Sequence, residues 1–181
     1  PGSHSVNAYD PKTGEEIWKA RNEGYSTIPR PVYGHGLVFI CTGYDAPVLL
    51  AIRPTGKGDV TDSHIAWDVE RGVPHTSSLL LVGKELYMVS DGGVASCVDA
   101  MTGENHWRDR LEGGFSASPI HAGGKIYFLS EKGVGSVYKA SKTMEEIAVN
   151  ELGERTLASY AVGDGALFIR AAKHLYRLQS E

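Results

Sequence analysis

A short segment ending in glycine recurs every 40 residues, and this period constrains the fold more than any other feature of the chain. The three copies are Ser77–Gly83, Ala117–Gly123 and Leu157–Gly163. Trp107 follows Trp67 at the same step of 40, and further markers repeat with it at Tyr87, Tyr127 and Leu167, and at Val89, Leu129 and Ile169. Because several separate markers share one period, the sequence predicts a tandem array of similar units.

Each unit has the pattern of short β-strands. In one copy, Leu79–Val82, Glu85–Ser90, Val94–Val98 and Asn105–Leu111 are four short segments separated by glycine-bearing turns. No segment shows the 3.6-residue period of a helix. A four-stranded antiparallel sheet that repeats about every 40 residues is typical of a propeller blade. The predicted fold class is therefore all-β, a β-propeller segment.

The first full unit is longer than the others. Trp67 lies 49 residues after Trp18, so about nine residues are inserted, most of them in Lys57–Asp62. This polar, glycine-containing segment is expected to be a surface loop. The predicted boundaries are a partial blade at 5–24, a blade with the insertion at 25–72, complete blades at 73–113 and 114–153, and a partial blade at 154–181.

A fixed turn pattern recurs inside the units, between the last two strands. An aspartate can accept backbone N–H bonds from the turn that follows it, a threonine can bond back to the backbone, and glycine supplies a positive φ. A tryptophan four residues past the glycine then falls on the last strand, where it can pack on a neighbouring blade. The residues of this pattern are Ala8, Asp10, Thr13, Gly14, Trp18, Ala51, Trp67, Asp99, Thr102, Gly103 and Trp107.

The pattern A-x-D-x-x-T-G-x-x-x-W resembles the tryptophan-docking repeat of the pyrroloquinoline-quinone-like (PQQ-like) β-propellers. That family includes quinoprotein alcohol dehydrogenases and a propeller lipoprotein of the outer-membrane assembly machinery. The resemblance covers essentially the whole chain as repeats, and it implies that the docking tryptophan is structural. Departures from the pattern are Arg53 for Asp, Cys97 for Ala, and a degraded fourth copy with Val137, Lys139 and Ile147.

The predicted order is two strands, three complete blades and three final strands, or 17 strands in all. The resemblance implies seven or eight blades in an intact propeller, so the chain is interpreted as about half of one, with its natural end near Glu181. We expect a homodimer through the exposed propeller edges, in which the last three strands take the Glu15–Ala20 strand of a second copy. The alternative is a monomeric four-bladed ring, and a single species near 19.5 kDa would remove the dimer.

Charge and composition exclude several functions. The formal net charge of −4 argues against nucleic-acid or anionic-membrane binding, and no apolar run is long enough to span a membrane. Cys41 and Cys97 belong to no metal-binding pattern, the histidines lack HxH or HExxH spacing, and no zinc or other metal site is predicted. No P-loop and no G-x-S-x-G motif occurs.

The resemblance implies that quinoprotein dehydrogenases hold PQQ with adjacent cysteines, a stacking tryptophan and a calcium site. No Cys-Cys pair and no short cluster of acidic and amide residues occurs, so neither PQQ nor calcium is expected on this chain. We predict a non-catalytic scaffold for protein–protein interaction in the periplasm or outside the cell. The alternatives are a fragment of a PQQ-dependent dehydrogenase and a propeller that binds a small molecule or sugar.

A binding surface is expected where two sets of loops share one end of the propeller. These loops join each fourth strand to the next blade and each second strand to the third. Mixed charge with tyrosine and phenylalanine favours a protein partner, whereas ordinary polar loops are the alternative interpretation. The candidate residues are Arg30, Tyr44, Asp45, His75, Asp91, Phe115, Glu131, Arg155 and Lys173.

Overall fold

The chain folds almost entirely as short antiparallel strands. The computed structural model describes residues 1–179, and it contains 18 strands and one four-residue helix within them. The predicted all-β class is therefore confirmed. The last two residues of the predicted 154–181 blade, and with them the expected chain end near Glu181, lie outside the described residues.

The strands form five sheets, numbered here from first to fifth along the chain. The first sheet contains β1 (Ser5–Tyr9), β2 (Glu16–Arg21) and β6 (Gly58–Asp59). The second contains β3 (Val32–Gly34), β4 (Leu37–Cys41), β5 (Leu49–Ile52) and β7 (Ile65–Val69), with helix α1 (Thr61–His64) before β7. The third contains β8 (Leu80–Val82), β9 (Glu85–Val89), β10 (Val94–Asp99) and β11 (Asn105–Arg110).

The remaining strands repeat this order. The fourth sheet contains β12 (Ile120–Ala122), β13 (Lys125–Leu129), β14 (Val134–Lys139) and β15 (Glu146–Glu151). The fifth contains β16 (Ala161–Gly163), β17 (Ala166–Arg170) and β18 (Leu175–Leu178). The second, third and fourth sheets are thus complete four-stranded meanders, whereas the fifth has three strands.

The inserted segment is not the surface loop that its composition predicts. Gly58 and Asp59 form β6, which pairs in parallel with Trp18 and Lys19 of β2. The side chain of Val60 is only 2% exposed because it packs into the core beneath β2. The outer edge of β2 would otherwise leave backbone N–H and C=O groups without partners, and β6 supplies partners for these groups. This strand raises the count from the predicted 17 to 18.

The pairing of β2 bears on the expected assembly. One edge of β2 contacts β1 and the other contacts β6, so the Glu15–Ala20 strand cannot be given to a second copy unless β6 is displaced. Among the described strands, β18 pairs with β17 and with no strand of the first sheet. The alternative four-bladed ring, closed within one chain, is therefore not the arrangement found here.

The hydrophobic core lies between consecutive sheets rather than inside any one of them. One buried cluster joins the first and second sheets around Trp18, a second joins the next pair around Phe39, and a third joins the third and fourth sheets around Trp107. Fully burying one such large side chain stabilises a fold by about 1.5–3 kcal/mol. The interface between the fourth and fifth sheets is the smallest, with Ala117, Leu129 and Ile169 as its buried members.

The fifth sheet is shifted by one residue from the 40-residue period. Phe168 pairs with Ala161, as Tyr127 pairs with Ile120, so the structural step is 41. The prediction that Leu167 repeats the position of Tyr127 was wrong. Successive side chains of a strand point to opposite faces. Because of the slip, each residue of β17 therefore points to the face opposite to the one that the 40-residue period predicts.

The extra residue lies in the turn after β14. Cys97 is paired with Trp107, but Val137 is paired with Ala148, one residue further along. Ala148, and not Ile147, therefore stands where the other units have tryptophan, and the side chain of Ile147 is 45% exposed. The absence of an indole at this position accounts for the small core between the fourth and fifth sheets.

The turn between β10 and β11 has the local geometry that its residues suggest. The Asp99 carboxylate accepts hydrogen bonds from the backbone N–H groups of Met101 at 2.7 Å and Thr102 at 3.0 Å. The Thr102 hydroxyl accepts from the N–H of Glu104 at 3.2 Å, and Gly103 has a φ of +75°. The turn between β1 and β2 repeats this arrangement at Asp10, Lys12, Thr13, Gly14 and Glu15.

Two indole N–H groups reach across to the following sheet. Trp18 Nε1 donates to the carbonyl oxygen of Pro54 at 3.1 Å, and Trp107 Nε1 donates to that of Ser141 at 3.2 Å. Both side chains are buried, at 4% and 6% exposure. The residues paired across from the three tryptophans are small: Ala8, Ala51 and Cys97.

Trp67 contacts the next unit in a different way. Its ring lies against Gly103, and a Cβ added to that glycine would be 2.7 Å from the indole. The Phe39 ring packs on the same indole with centroids 5.7 Å apart. Gly103 is thus required twice, for its positive φ and for the close approach of Trp67.

Candidate interaction face

Two sets of connections meet at one end of the sheets, which we call the loop face. One set follows the outer strands at 22–31, 70–79, 111–119 and 152–160, and the other joins the middle strands at 42–48, 90–93, 130–133 and 171–174. Backbone bonds link them: the N–H of Phe115 donates to the carbonyl of Asp91 at 3.0 Å, and that of Thr156 donates to Glu131 at 3.1 Å. The two loop sets therefore form one connected surface.

Predicted face residues Asp91 and Glu131 hold these loops together. The Asp91 carboxylate accepts from the N–H groups of His75 at 2.9 Å and Thr76 at 3.1 Å, and from the Thr76 hydroxyl at 2.7 Å. Glu131 accepts a short hydrogen bond from the Ser116 hydroxyl. Because these oxygens already have donors within the chain, both carboxylates organise the surface more than they present charge to a partner.

Glu154 has the same role in the fifth sheet, although its sequence context gave no sign of it. Its carboxylate accepts from the backbone N–H of Lys173, from His174 Nδ1 at 2.8 Å and from the Tyr176 hydroxyl at 2.8 Å. The hydrogen bond from His174 is the largest of the effects that lower the pKa of Glu154 to about 2. Glu154 lies in the loop that follows an outer strand, whereas Asp91 and Glu131 lie in loops between middle strands, so the repeat offers no acidic counterpart for it.

Protonating Glu154 should loosen the loop at 171–174. A carboxyl group whose pKa is lowered in the folded state stabilises the fold above its ordinary pKa of 4.5, and the contribution is lost as pH falls toward 2. We therefore expect Glu154→Gln to lower the melting temperature at pH 7, with a difference from wild type that shrinks between pH 4.5 and 2. Scanning calorimetry across this range is the measurement, and Glu23→Gln, at an exposed carboxylate, is the control. A difference that does not vary with pH would contradict this account.

A patch of aromatic side chains lies at the loops of the second and third sheets. The ring of Tyr44 is 55% exposed and packs edge-on against Tyr25, with centroids 6.0 Å apart. It also packs in a tilted arrangement against His75, with centroids 5.4 Å apart. The Tyr25 hydroxyl donates to the Asp45 carboxylate at 2.9 Å, which raises the pKa of Tyr25 above its ordinary value. We call these four residues the tyrosine patch. Three of them were predicted from the sequence, and Tyr25 was not.

Four of the other predicted face residues do not join this patch. Phe115 is only 2% exposed, so its assignment to the surface was wrong: the loop turns inward, and the ring closes the core shared with Trp107. Arg155 and Lys173 are exposed at the far end, in the loops of the fifth sheet. Arg30 contributes through its backbone, as its N–H donates to the Ser78 hydroxyl at 3.2 Å.

That bond begins a chain of serine contacts that runs from sheet to sheet. The Ser78 N–H donates to the Ser118 hydroxyl at 2.9 Å, and the Ser118 N–H donates to the Ser159 hydroxyl at 2.9 Å. Each serine lies just before the first strand of its sheet. Arg30, Ser78, Ser118 and Ser159 occupy equivalent positions before the first strands of successive sheets, and the last two are 41 residues apart.

Removing one serine hydroxyl should weaken one interface only. A lost hydrogen bond typically costs about 1 kcal/mol, and leaving a donor unpaired adds to that cost. We expect Ser118→Ala to reduce the free energy of unfolding by about 1 kcal/mol in urea titration, since the Ser78 N–H loses its acceptor. Ser63→Ala, in the exposed α1 turn, should change it by less than about 0.5 kcal/mol. Equal effects of the two changes would show that the serine chain contributes nothing.

The two cysteines of the chain do not come together in the fold. Cys41 is buried between the second and third sheets, whereas Cys97 is buried between the third and fourth. Burial raises the pKa of the Cys97 thiol to about 12 and that of Cys41 further still. Two thiols in separate interfaces cannot form the adjacent pair that the resemblance implies for a quinone site.

Neither a metal-binding cluster nor a membrane-spanning helix is found in the described part of the chain. No group of three or more histidine, cysteine, aspartate or glutamate side chains in residues 1–179 is placed to bind a metal ion. Within the same residues, no helix has the length and apolar character needed to cross a bilayer.

Comparison with solved structures places this architecture among propellers. BamB from Moraxella catarrhalis superposes with a TM-score of 0.73 and 15% identity over 92% of this chain and 52% of its own. The computationally designed protein Ika8 gives 0.74 and 10% identity over 97% and 53%. A europium-containing methanol dehydrogenase gives 0.55 and 14% identity over 66% and 23%. The predicted β-propeller fold is confirmed, and the chain spans about half the length of BamB and of Ika8.

Sequence comparison gives the family. No curated protein matches the chain significantly. The family model described as outer membrane protein assembly factor BamB matches residues 2–146, which include the two best copies of the turn pattern and all three tryptophans. The chain therefore belongs to the family of the outer membrane protein assembly factor BamB.

Proposed function

We propose that this chain is a non-catalytic propeller scaffold that binds a protein partner through its loop face. The single observation that carries the proposal is the tyrosine patch, where an exposed Tyr44 ring is held by Tyr25 and His75. Rigid, half-exposed tyrosines offer large contact area at a low cost in conformational entropy, and they are enriched at protein interfaces. The carboxylates of Asp91 and Glu131 keep the supporting loops in place before a partner arrives.

Family membership suggests the class of partner. The family is described by its role in outer membrane protein assembly, so we assign the chain a partner in that machinery and a periplasmic location. The net charge of −4 is compatible with such a role and does not favour nucleic acid. The same scaffold could carry other functions, so the assignment depends on the site and not on the fold.

A second part of the proposal concerns stability. We assign Trp18, Trp67 and Trp107 the role of docking one sheet onto the next, with Gly103 as a contact point. The indole N–H bonds to carbonyl groups of the following unit support this role. A rigid series of packed sheets would hold the loop face in one conformation, which is what a scaffold needs.

Site-specific photocrosslinking tests the proposed face. A photoreactive phenylalanine at position 44 should form an adduct with a defined polypeptide in cells, because Tyr44 is exposed in the middle of the patch. The matched control is position 101, where Met101 is 48% exposed in a turn at the opposite end of the third sheet. Adducts from position 44 alone support the proposal. Equal adducts from both positions, or none from position 44, would contradict it.

The expected homodimer remains a separate prediction. Sedimentation equilibrium should report twice the chain mass of 19.5 kDa if two copies associate through their free edges. A single species of the chain mass would remove the dimer and leave the proposed binding face unaffected, since Tyr44 lies at the loops and not on a strand edge.

A further inference from the structure

The chain itself shows how an outer strand of this fold binds an added segment. β6 pairs in parallel with β2, where Asp59 lies opposite Lys19, and the N–H of Val60 donates to the carbonyl oxygen of Lys19 at 2.8 Å. The N–H of Arg21 donates to the Thr61 hydroxyl, and Nε of Arg21 donates to the Asp59 carboxylate, both at 2.9 Å. Backbone hydrogen bonds and one ion pair therefore hold the added segment.

β2, β7, β11 and β15 can be aligned through the strand with which each pairs antiparallel. The residue that follows the tryptophan position is Lys19 in β2, Asp68 in β7, Arg108 in β11 and Val149 in β15. A charge on an edge strand opposes the addition of another strand unless the added strand carries the opposite charge, as Asp59 does beside Lys19. Val149 is 52% exposed. β15 therefore lacks the edge charge of the other three strands.

The outer edge of β15 is open in the described part of the chain. β15 pairs with β14 alone among the described strands, and it belongs to a complete sheet that packs between the third and fifth sheets. Besides Val149, Ile147 is 45% exposed at the bulge of this strand. The alignment places the backbone groups of Val149 where those of Lys19 bond β6. The edge thus offers both hydrogen-bonding groups and apolar area.

The charge beside this edge is the reverse of the charge at β2. Glu151 occupies the position of Arg21, so a carboxylate replaces the guanidinium that binds Asp59. Glu151 is exposed, and it takes part in none of the ion pairs between the described residues. A segment that binds β15 as β6 binds β2 must therefore carry a cation at the position of Asp59. The aliphatic stem of that cation would cover Val149, and its charged end would reach Glu151.

A second copy of β15 is a poor occupant of this edge. Two copies of the strand that pair antiparallel at its centre would place Glu146 of one copy opposite Glu151 of the other. Like charges directly opposite each other destabilise a strand pair. The charge at this edge therefore favours a basic segment of a different polypeptide.

We propose that the outer edge of β15 binds an extended segment of a separate polypeptide in parallel orientation. A lysine or arginine of that segment lies opposite Val149 and pairs with Glu151. The tyrosine patch lies at the loops of the second and third sheets, whereas β15 belongs to the fourth sheet. The two proposals can therefore fail independently.

Fluorescence anisotropy with short labelled peptides tests the role of charge. The probe alternates lysine with threonine, and its control replaces each lysine by glutamine. We expect the lysine peptide to bind about threefold more tightly, with an advantage that falls as salt rises. E151Q should remove this advantage, whereas E70Q, at the equivalent carboxylate after β7, should leave it unchanged. V149K restores an edge charge and should weaken binding of the lysine peptide by at least about threefold.

Hydrogen exchange measured by NMR tests the backbone pairing without any substitution. The amide protons of Val149 and Glu151 should exchange more slowly when the lysine peptide is bound, because the added strand accepts hydrogen bonds from them. The amide protons of Asp68 and Glu70, at the equivalent positions of the second sheet, should exchange at an unchanged rate.

Four results would overturn the proposal. The lysine and glutamine peptides could bind equally, or E151Q could bind the lysine peptide as wild type does while circular dichroism shows an unchanged fold. Slower exchange at Asp68 and Glu70 in place of Val149 and Glu151 would put the binding edge on β7. The chain could also self-associate in a way that V149K abolishes, which would make a second copy the occupant. Crosslinking from position 44 should not change in the E151Q protein, and this keeps the tests of the two surfaces separate.

Discussion

Replacing Trp107 by alanine should lower the free energy of unfolding by about 3–5 kcal/mol. The indole is 6% exposed, stacks on Tyr138 with centroids 5.5 Å apart and an interplanar angle of 19°, and lies 6.1 Å from Tyr87. Truncation would open a cavity between the third and fourth sheets and would also remove the hydrogen bond to Ser141. Urea unfolding with an unchanged slope is the measurement.

Two controls separate packing from the hydrogen bond. Trp107→Phe keeps most of the ring volume but loses the N–H donor, so its cost should be smaller than that of the alanine variant. Tyr9→Ala removes an aromatic ring that is 56% exposed, and it should change stability by less than about 0.5 kcal/mol. A loss below about 1 kcal/mol for Trp107→Ala would show that the indole does not hold two sheets together.

The second large effect is expected at Gly103, with Gly14 as an internal control. The two glycines have nearly the same φ, +75° and +76°, so alanine introduces similar backbone strain of about 1–2 kcal/mol at either position. A Cβ at Gly103 would be 2.7 Å from the Trp67 ring, whereas a Cβ at Gly14 would have no atom within 4 Å. Overpacking typically costs a further 1–3 kcal/mol. We therefore expect Gly103→Ala to destabilise by about 2–4 kcal/mol and Gly14→Ala by about 1–2 kcal/mol.

The comparison isolates one contact between sheets. The two turns share the same hydrogen bonds to Asp99 and Asp10, so the difference in stability reports the contact with Trp67 and not the turn itself. If Gly103→Ala and Gly14→Ala lowered the free energy of unfolding equally, Trp67 would not be in contact with Gly103. A Trp67→Ala background should remove the difference, because the crowding atoms would be gone.

The sequence predicted the repeat well because its markers have direct physical causes. A glycine at a positive φ and an aspartate that accepts turn N–H groups leave a visible pattern, and Asp10 and Asp99 lie in the expected turns. The strand meanders followed from the short apolar segments between such turns. The fold class could therefore be predicted from local chemistry.

The register of the fifth sheet was not accessible from a period alone. The turn after β14 has one extra residue and no glycine to mark it, and Ala148 replaces the tryptophan that would have revealed the slip. A slip of one residue exchanges the two faces of a strand, so it moved Phe168 and Arg170 to the outer face.

The burial of one loop and the strand pairing of another could also not be predicted from the sequence. Phe115 resembles a surface aromatic in a glycine-rich loop, yet the loop turns its ring into the core. The polar segment containing Gly58 and Asp59 resembles a free loop, yet the open edge of β2 gives it a partner. Tyr25 joined the candidate face only because the fold places it beside Tyr44. In each case a contact distant in sequence decides the outcome.

The central claim is that indole rings join consecutive sheets of a propeller, and proton NMR of the indole groups tests it most directly. We predict cross-peaks between the Trp107 ring and the Tyr138 ring, and between the Trp18 indole N–H and the α-proton of Pro54, all of which belong to different sheets or units. Cross-peaks from these indoles only to residues of their own sheets would contradict the account.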